Sequence, residues 1–369
     1  MGSTTASSPA AVTPVRALTQ RVVSLDAFRG FTMIFLTAEG FLSAMNNHPL
    51  MGVLARQFEH TDWHGATPWD MVQPFFMFIV GAAMPFSFAK RWESGESYTA
   101  TLLHVLKRCA LLILWGLIAR SVEAGRPVID LINVLAQVSF TYLIAFLVLR
   151  KGWKVQAVTA FAFLAADWAI YSFSTAPGVI GPWVKDANIG WWLDGAVLGK
   201  HWSGSYATIN CIPSTANTVF GVMAGALLKS SLDMGRKLRI LVATGVAGVV
   251  AGLALDFWIP IIKKIWTPSF ALLSVGWTLL ALAAFVWVSD VKGWTRWSRL
   301  AVIVGSNSIF IYLVHEILGH WMRTTAQVFL GWSVDWWGDW GRVFMACAVS
   351  AFQIYLCVWL YRRKIFFKL

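Results

Sequence analysis

Ten stretches of this 369-residue chain are apolar for long enough to cross a lipid bilayer, and that property excludes most folds. About 20 helical residues span the hydrocarbon core. A backbone in lipid must satisfy its own N–H and C=O groups, which leaves helices or a closed barrel. The apolar runs are continuous and do not alternate, so helices are expected. They lie near 31–47, 68–89, 103–120, 129–149, 155–174, 215–232, 238–259, 269–289, 300–320 and 341–361. Hydrophobic residues make up 57% of the chain and charged residues 13%, too few charges for a soluble domain of this size. The expected fold is an all-α polytopic membrane protein, with about ten transmembrane helices in one bundle. A single domain over 21–369 follows a small, polar, disordered tail at 1–20. No apolar core ending at a small-residue cleavage site precedes Arg21, so no cleaved signal peptide is expected.

Charge orients the bundle. Most of the 30 lysines and arginines fall before the first stretch, in the even-numbered loops and in the C-terminal tail. The positive-inside rule then places both termini in the cytoplasm. The net charge of +12 is concentrated on that face, where anionic lipid headgroups explain most of it. The lipid bilayer is thus an expected partner, and nucleic acid is not. Six of the seven histidines (all but His104) sit at or near the outer face. Imidazole is the usual proton shuttle near neutral pH, so proton chemistry is expected on the outside. The four cysteines have no paired or C-x-x-C spacing, so neither a disulfide framework nor a metal site is expected.

Polar residues in or beside these stretches need a reason. The segment EHTDWHGATPWDMVQPFFMFIVG (59–81) sets His60, Asp62, Trp63, His64 and Asp70 against a run that belongs in lipid. Thr67, Pro68 and Asp70 also form a helix start: an N-cap, a proline at N1 and an acid at N3. His60 and His64 precede the helix and have no such explanation. Glu39, in the first stretch, either pairs with a cation or orients a catalytic histidine. Asn307, His315 and Glu316 lie in the ninth, as interhelical hydrogen-bonding groups or as the wall of a pocket. Lys263 and Lys264 run against the charge trend on the outer side, by snorkelling or by binding an anion. Thirteen of the 22 tryptophans lie outside as an interfacial belt, with one or two, Trp63 and Trp266 among them, free to stack on a sugar ring. GVMAG (221–225) reads as a helix-packing seam.

Taken together, these residues resemble the bacterial relatives of heparan-alpha-glucosaminide N-acetyltransferase, within the transmembrane acyltransferase superfamily. The resemblance is carried by RVVSLDAFRGF (21–31), HTDWHGATPWDMVQPFFMFIVG (60–81), NVLAQVSFTY (133–142), TINCIPSTANTVFGVMAG (208–225), KKIWTPSFALLSVGW (263–277) and GSNSIFIYLVHEIL (305–318), in that order. It implies a multi-pass protein of the bacterial cytoplasmic membrane that moves an acetyl group from cytoplasmic acetyl-CoA to an amino sugar or glycan outside. The family's active-site histidine corresponds to His60. Glu39 or Asp62 would orient it, and Asn307 or a lysine would stabilise the oxyanion. Trp63, His64, Asp70, Lys264, Trp266, Asn307, His315 and Glu316 would contact the acceptor; Asp26, Arg29 and Arg108 would hold the donor. Glu39 and Gln137 depart from the asparagine and arginine that many relatives carry there. The sequence leaves open whether the acyl group rests on His60 or transfers directly, and whether the chain forms a homodimer. The rival reading is a proton-coupled transporter with Glu39, His315 and Glu316 as its relay.

Overall fold

The structure, a computed structural model, describes residues 22–367. The tail at 1–20 and Arg21 of the opening motif lie outside the described residues. Those residues form α1 (Val23–Thr37), α2 (Met51–Ala55), α3 (Val72–Glu93), α4 (Tyr98–Glu123), α5 (Val134–Leu149), α6 (Trp153–Phe173), α7 (Ile189–Leu198) and α8 (Cys211–Lys229). They continue with α9 (Met234–Leu255), α10 (Pro268–Phe285), α11 (Arg299–Gly305), α12 (Ser308–Leu313), α13 (Gly319–Leu330), α14 (Trp332–Trp337) and α15 (Asp339–Arg362).

Seven of these, α3, α4, α6, α8, α9, α10 and α15 with their flanking turns, are long and apolar enough to cross a membrane. An eighth span arises if Arg299–Gly305 and Ser308–Leu330, bent by 77° at their junction, count as one. The expected ten are thus not confirmed by helix length and composition. Helices α1 and α5 have 15 and 16 residues, so they reach about 23 Å against a core of about 30 Å. Hydropathy alone overestimates such segments because apolar loop residues extend the run. At 129–149 the Asn133 side chain accepts from the Ala136 amide at 2.9 Å, so the helix starts only at Val134.

The first helix is also displaced from its expected place at 31–47. It begins at Val23, because Asp26 and Arg29 pair along the helix at 2.7 Å and so fit inside it. It ends at Thr37, and the chain turns through Gly40 at φ +60°. Glu39 therefore lies beyond the helix end and not in mid-span.

Backbone contact holds the centre of the bundle together. A Cβ placed on Gly81 of α3 would lie 2.0 Å from the Thr218 carbonyl oxygen of α8, and one on Gly221 would lie 2.1 Å from that of Phe78. The GVMAG segment is thus half of a small-residue seam, the arrangement that lets helices pack closely where lipid offers no hydrophobic drive. Gly81→Ala is expected to cost about 1–3 kcal/mol or more by overpacking, seen as a lower thermal-unfolding midpoint in detergent. Gly152→Ala, at the N-cap of α6 with nothing within 4 Å, should lower the midpoint less, and an equal drop in the two variants would contradict the seam.

Candidate functional site

The segment before α3 folds back on the helix start, and Asp70 is what it folds around. Asp70 is fully buried, with its two oxygens divided between two tasks. Oδ2 accepts from the Thr67 amide at 2.9 Å and from the Thr61 and Thr67 hydroxyls at 3.1 Å. The Asp70 amide donates back to Thr67 Oγ1 at 3.3 Å, which completes a reciprocal cap. Oδ1 is left for His60, whose Nδ1 lies 2.7 Å away. A carboxylate can only accept there, so Nδ1 carries the hydrogen and the ring's acceptor lone pair lies at Nε2. The His60 side chain is 36% exposed and faces a cavity of about 270 Å³.

Lys263 comes to the same ring from the loop between α9 and α10. Its Nζ is 3.1 Å from His60 Nδ1, 3.3 Å from Nε2 and 3.8 Å from Asp70 Oδ1. The lysine side chain is only 7% exposed. Burial pulls its pKa down to about 8, against the opposing effect of the Asp70 and Glu39 charges. The turn that aims it inward bonds the Trp266 amide to the Lys263 carbonyl at 2.9 Å. Trp266 itself takes φ +53°, a costly conformation for a bulky residue. The buried Trp266 indole donates to Asn217 Oδ1 at 3.1 Å and forms part of the cavity wall.

The other residues singled out in the sequence divide into groups. Asp62 is 83% exposed and binds Lys185 at 2.8 Å, with Lys264 at 3.9 Å. His64 pairs with Asp256 at 2.8 Å, and the Trp63 indole donates to the Trp183 carbonyl at 2.9 Å. These contacts tie the loops together, and of the histidines and acids at 59–70 only His60 lines the cavity. Glu39 and Glu316 also line it, and Glu39 accepts from His315 Nε2 at 3.0 Å. His315 in turn meets Gln353 at 3.3 Å, on a π-helical turn at Val314–Leu318. Asn307 is engaged elsewhere. It donates to the Ile365 carbonyl at 3.1 Å and accepts from the Phe367 amide at 2.8 Å, so it holds the C-terminal segment and lines neither cavity described here.

A second cavity of about 170 Å³ lies further along the bundle, with Arg29 and Arg108 in its wall. Arg108 donates to the Tyr142 hydroxyl at 3.3 Å, and its guanidinium lies 4.8 Å from that ring's centre. Its buried Nε has no hydrogen-bond partner among the described residues. Asp26 faces Arg29 at 2.7 Å.

Sequence reading placed Asp70 with the acceptor contacts, but here it is bonded to His60; the capping signature concealed a second oxygen. It also chose Lys264 where the inward lysine is Lys263, because adjacent loop residues cannot be told apart without the turn geometry. Gln137 stands out in the sequence only as a departure from the arginine of the relatives and Gln73 not at all, although polar groups inside apolar helices are the available signal. Gln73 donates to Gln137, which donates to Ser214 Oγ at 2.9 Å, and both glutamines line the His60 cavity. So do Trp69 and Trp202, while Trp258, Trp321 and Trp336 stand exposed as a belt would.

Fold and site together define a multi-pass helical membrane protein enclosing a His–Asp–Lys centre at one end of its bundle. A family model described as Domain of unknown function (DUF5009) matches residues 21–175, which include His60 and Asp70. Over 96% of its length the chain is 22% identical to heparan-alpha-glucosaminide N-acetyltransferase of Mus musculus and 24% identical to that of Homo sapiens. It spans 61% and 60% of the length of these curated relatives. The chain is thus similar, at low identity and over nearly its whole length, to heparan-alpha-glucosaminide N-acetyltransferase.

Proposed function

We propose that this protein transfers an acetyl group from acetyl-CoA on the cytoplasmic side to the amine of an amino sugar or glycan on the other side. The observation that carries this reading is the His60–Asp70 pair with Lys263 beside it, at a cavity of about 270 Å³. The names of the relatives supply the acyl group, and the bias of basic residues toward the Arg29 and Arg108 end supports the sidedness. Those two arginines would hold the donor phosphates, a role that the unpartnered Arg108 Nε suits.

When bound, the donor supplies an activated thioester. His60 Nε2 accepts a proton from the acceptor amine as nitrogen attacks the carbonyl carbon. Asp70 holds the ring in the required tautomer and balances the imidazolium that forms. The Lys263 ammonium stabilises the oxyanion. As the C–N bond forms the C–S bond breaks, and the leaving sulfur takes up the proton that His60 had accepted. A covalent acyl-histidine would use the same nitrogen. Trapping with labelled acetyl-CoA in the absence of acceptor distinguishes the two, and direct transfer predicts no label on His60.

Activity is expected to fall as pH rises through about 8, where Lys263 loses its proton and the oxyanion loses its cation. Lys263→Met should cost about 10²–10³-fold in kcat, as removal of one oxyanion donor does elsewhere. Lys263→Arg should retain a charge above pH 8 and move the alkaline limb upward. An unchanged profile in Lys263→Arg would remove the lysine from the mechanism.

The transporter reading would use Glu39, His315 and Glu316 as its relay. It predicts substrate accumulation in vesicles without CoA, and indifference to His60→Ala.

A further inference from the structure

The two cavities are built on the same helices. Helix α1 contributes Arg29 to the inner one and Leu36 to the outer; α3 contributes Gln73 to the outer and Ala83 to the inner. Helix α5 repeats the order of α3, with Gln137 outside and Tyr142 inside. Along α3 the lining positions 72, 73, 76, 79, 80, 83, 84 and 87 follow helical spacing, so one face of one helix borders both spaces. They therefore lie in line along α3, from His60 toward Arg29 and Arg108, as two parts of a lumen would. Phe76 is the residue common to both linings, and it is only 6% exposed.

We propose that Phe76 is the partition of this lumen and sets the length of the acyl chain that reaches His60. This rests on the acyl-transfer reading above. A donor held at the arginine end must present its acyl group past the Phe76 ring. An acetyl group is small enough to pass beside a ring held by its neighbours, whereas a long alkyl chain needs the ring to leave a packed core. Interiors at crystal-like density resist such movement. Phe76 does not touch the transferred proton or the oxyanion; it selects what arrives.

The test compares wild type, Phe76→Leu and Phe76→Ala as purified full-length protein, with glucosamine as acceptor probe and acetyl-CoA, butyryl-CoA or octanoyl-CoA as donor. Product is scored by mass, and folding by thermal unfolding. Wild type is expected to favour acetyl over octanoyl by at least about tenfold in kcat/KM, a margin a closely fitted pocket can supply. Phe76→Ala should shrink that ratio about tenfold by raising octanoyl transfer, with Phe76→Leu between the two. Phe76→Leu keeps much of the side-chain volume and carries the test if the alanine variant does not fold. An octanoyl-to-acetyl ratio unchanged in a folded variant would overturn the partition while acyl transfer stands. Absence of transfer from every donor by wild type would overturn the acyl-transfer reading, and the partition with it.

Discussion

His60→Ala is expected to lower acyl transfer by about 10³-fold or more, because the group that accepts the acceptor's proton is removed outright. Donor binding should be unaffected, since the Arg29 and Arg108 cavity shares no residue with the His60 loop. Protein stability should fall as well, by about 1–3 kcal/mol, because the buried Asp70 Oδ1 loses its His60 partner while the threonine bonds to Oδ2 remain. Asp62→Ala is the matching control. That carboxylate is directed outward to Lys185, so transfer should stay within about twofold, as for surface substitutions away from a site. Steady-state transfer of labelled acetyl to an amino sugar, with donor binding measured in parallel, separates the two variants. Equal activity in wild type and His60→Ala would reject the histidine as the catalytic residue.

Asp70→Asn should cost nearly as much, about 10²–10⁴-fold in kcat, the upper figure being the loss for the equivalent change in a Ser-His-Asp enzyme. The reason is a hydrogen count. An asparagine amide presenting its NH₂ to His60 faces the Nδ1 hydrogen with another donor. The ring responds by taking the other tautomer, which places the hydrogen on Nε2, where the lone pair is needed. If the amide oxygen faces His60, the NH₂ meets the Thr61 and Thr67 donors and the helix cap is lost, at about 1 kcal/mol. Either orientation harms one of the two tasks that Asp70 performs. The double variant His60→Ala with Asp70→Asn should be no slower than His60→Ala alone, since both act on one nitrogen. Additive losses would mean that Asp70 contributes to catalysis by a route other than His60.

The membrane class was legible because hydropathy acts over 20 residues at a time and no single side chain can hide it. Helix ends were not. Asp26 and Arg29 entered α1 as a pair, and the Asn133 cap cut α5 short; both are local bonds that an averaged window does not see. His60 was singled out because it stood next to lipid with no helix-capping reason to be there, and the structure places it at the cavity. Asp70 had a sufficient local explanation, so its second role needed three dimensions to appear. The choice between Lys263 and Lys264 turned on the path of their loop, which brings Lys263 to His60 and Lys264 toward Asp62, information that residue type does not carry. Glu39, read as mid-span, proved to lie beyond α1 and against His315, on an element more than 270 residues away in sequence.

Proteoliposomes test the central claim most directly. Labelled acetyl-CoA would be supplied on the side bearing the Arg29 and Arg108 end and an amino sugar on the other, with wild type and His60→Ala compared side by side. The account predicts labelled N-acetyl product only in the acceptor compartment, and its loss in His60→Ala. Labelled product at equal rates from both proteins, or no product while the sugar accumulates across the membrane without CoA, would contradict it.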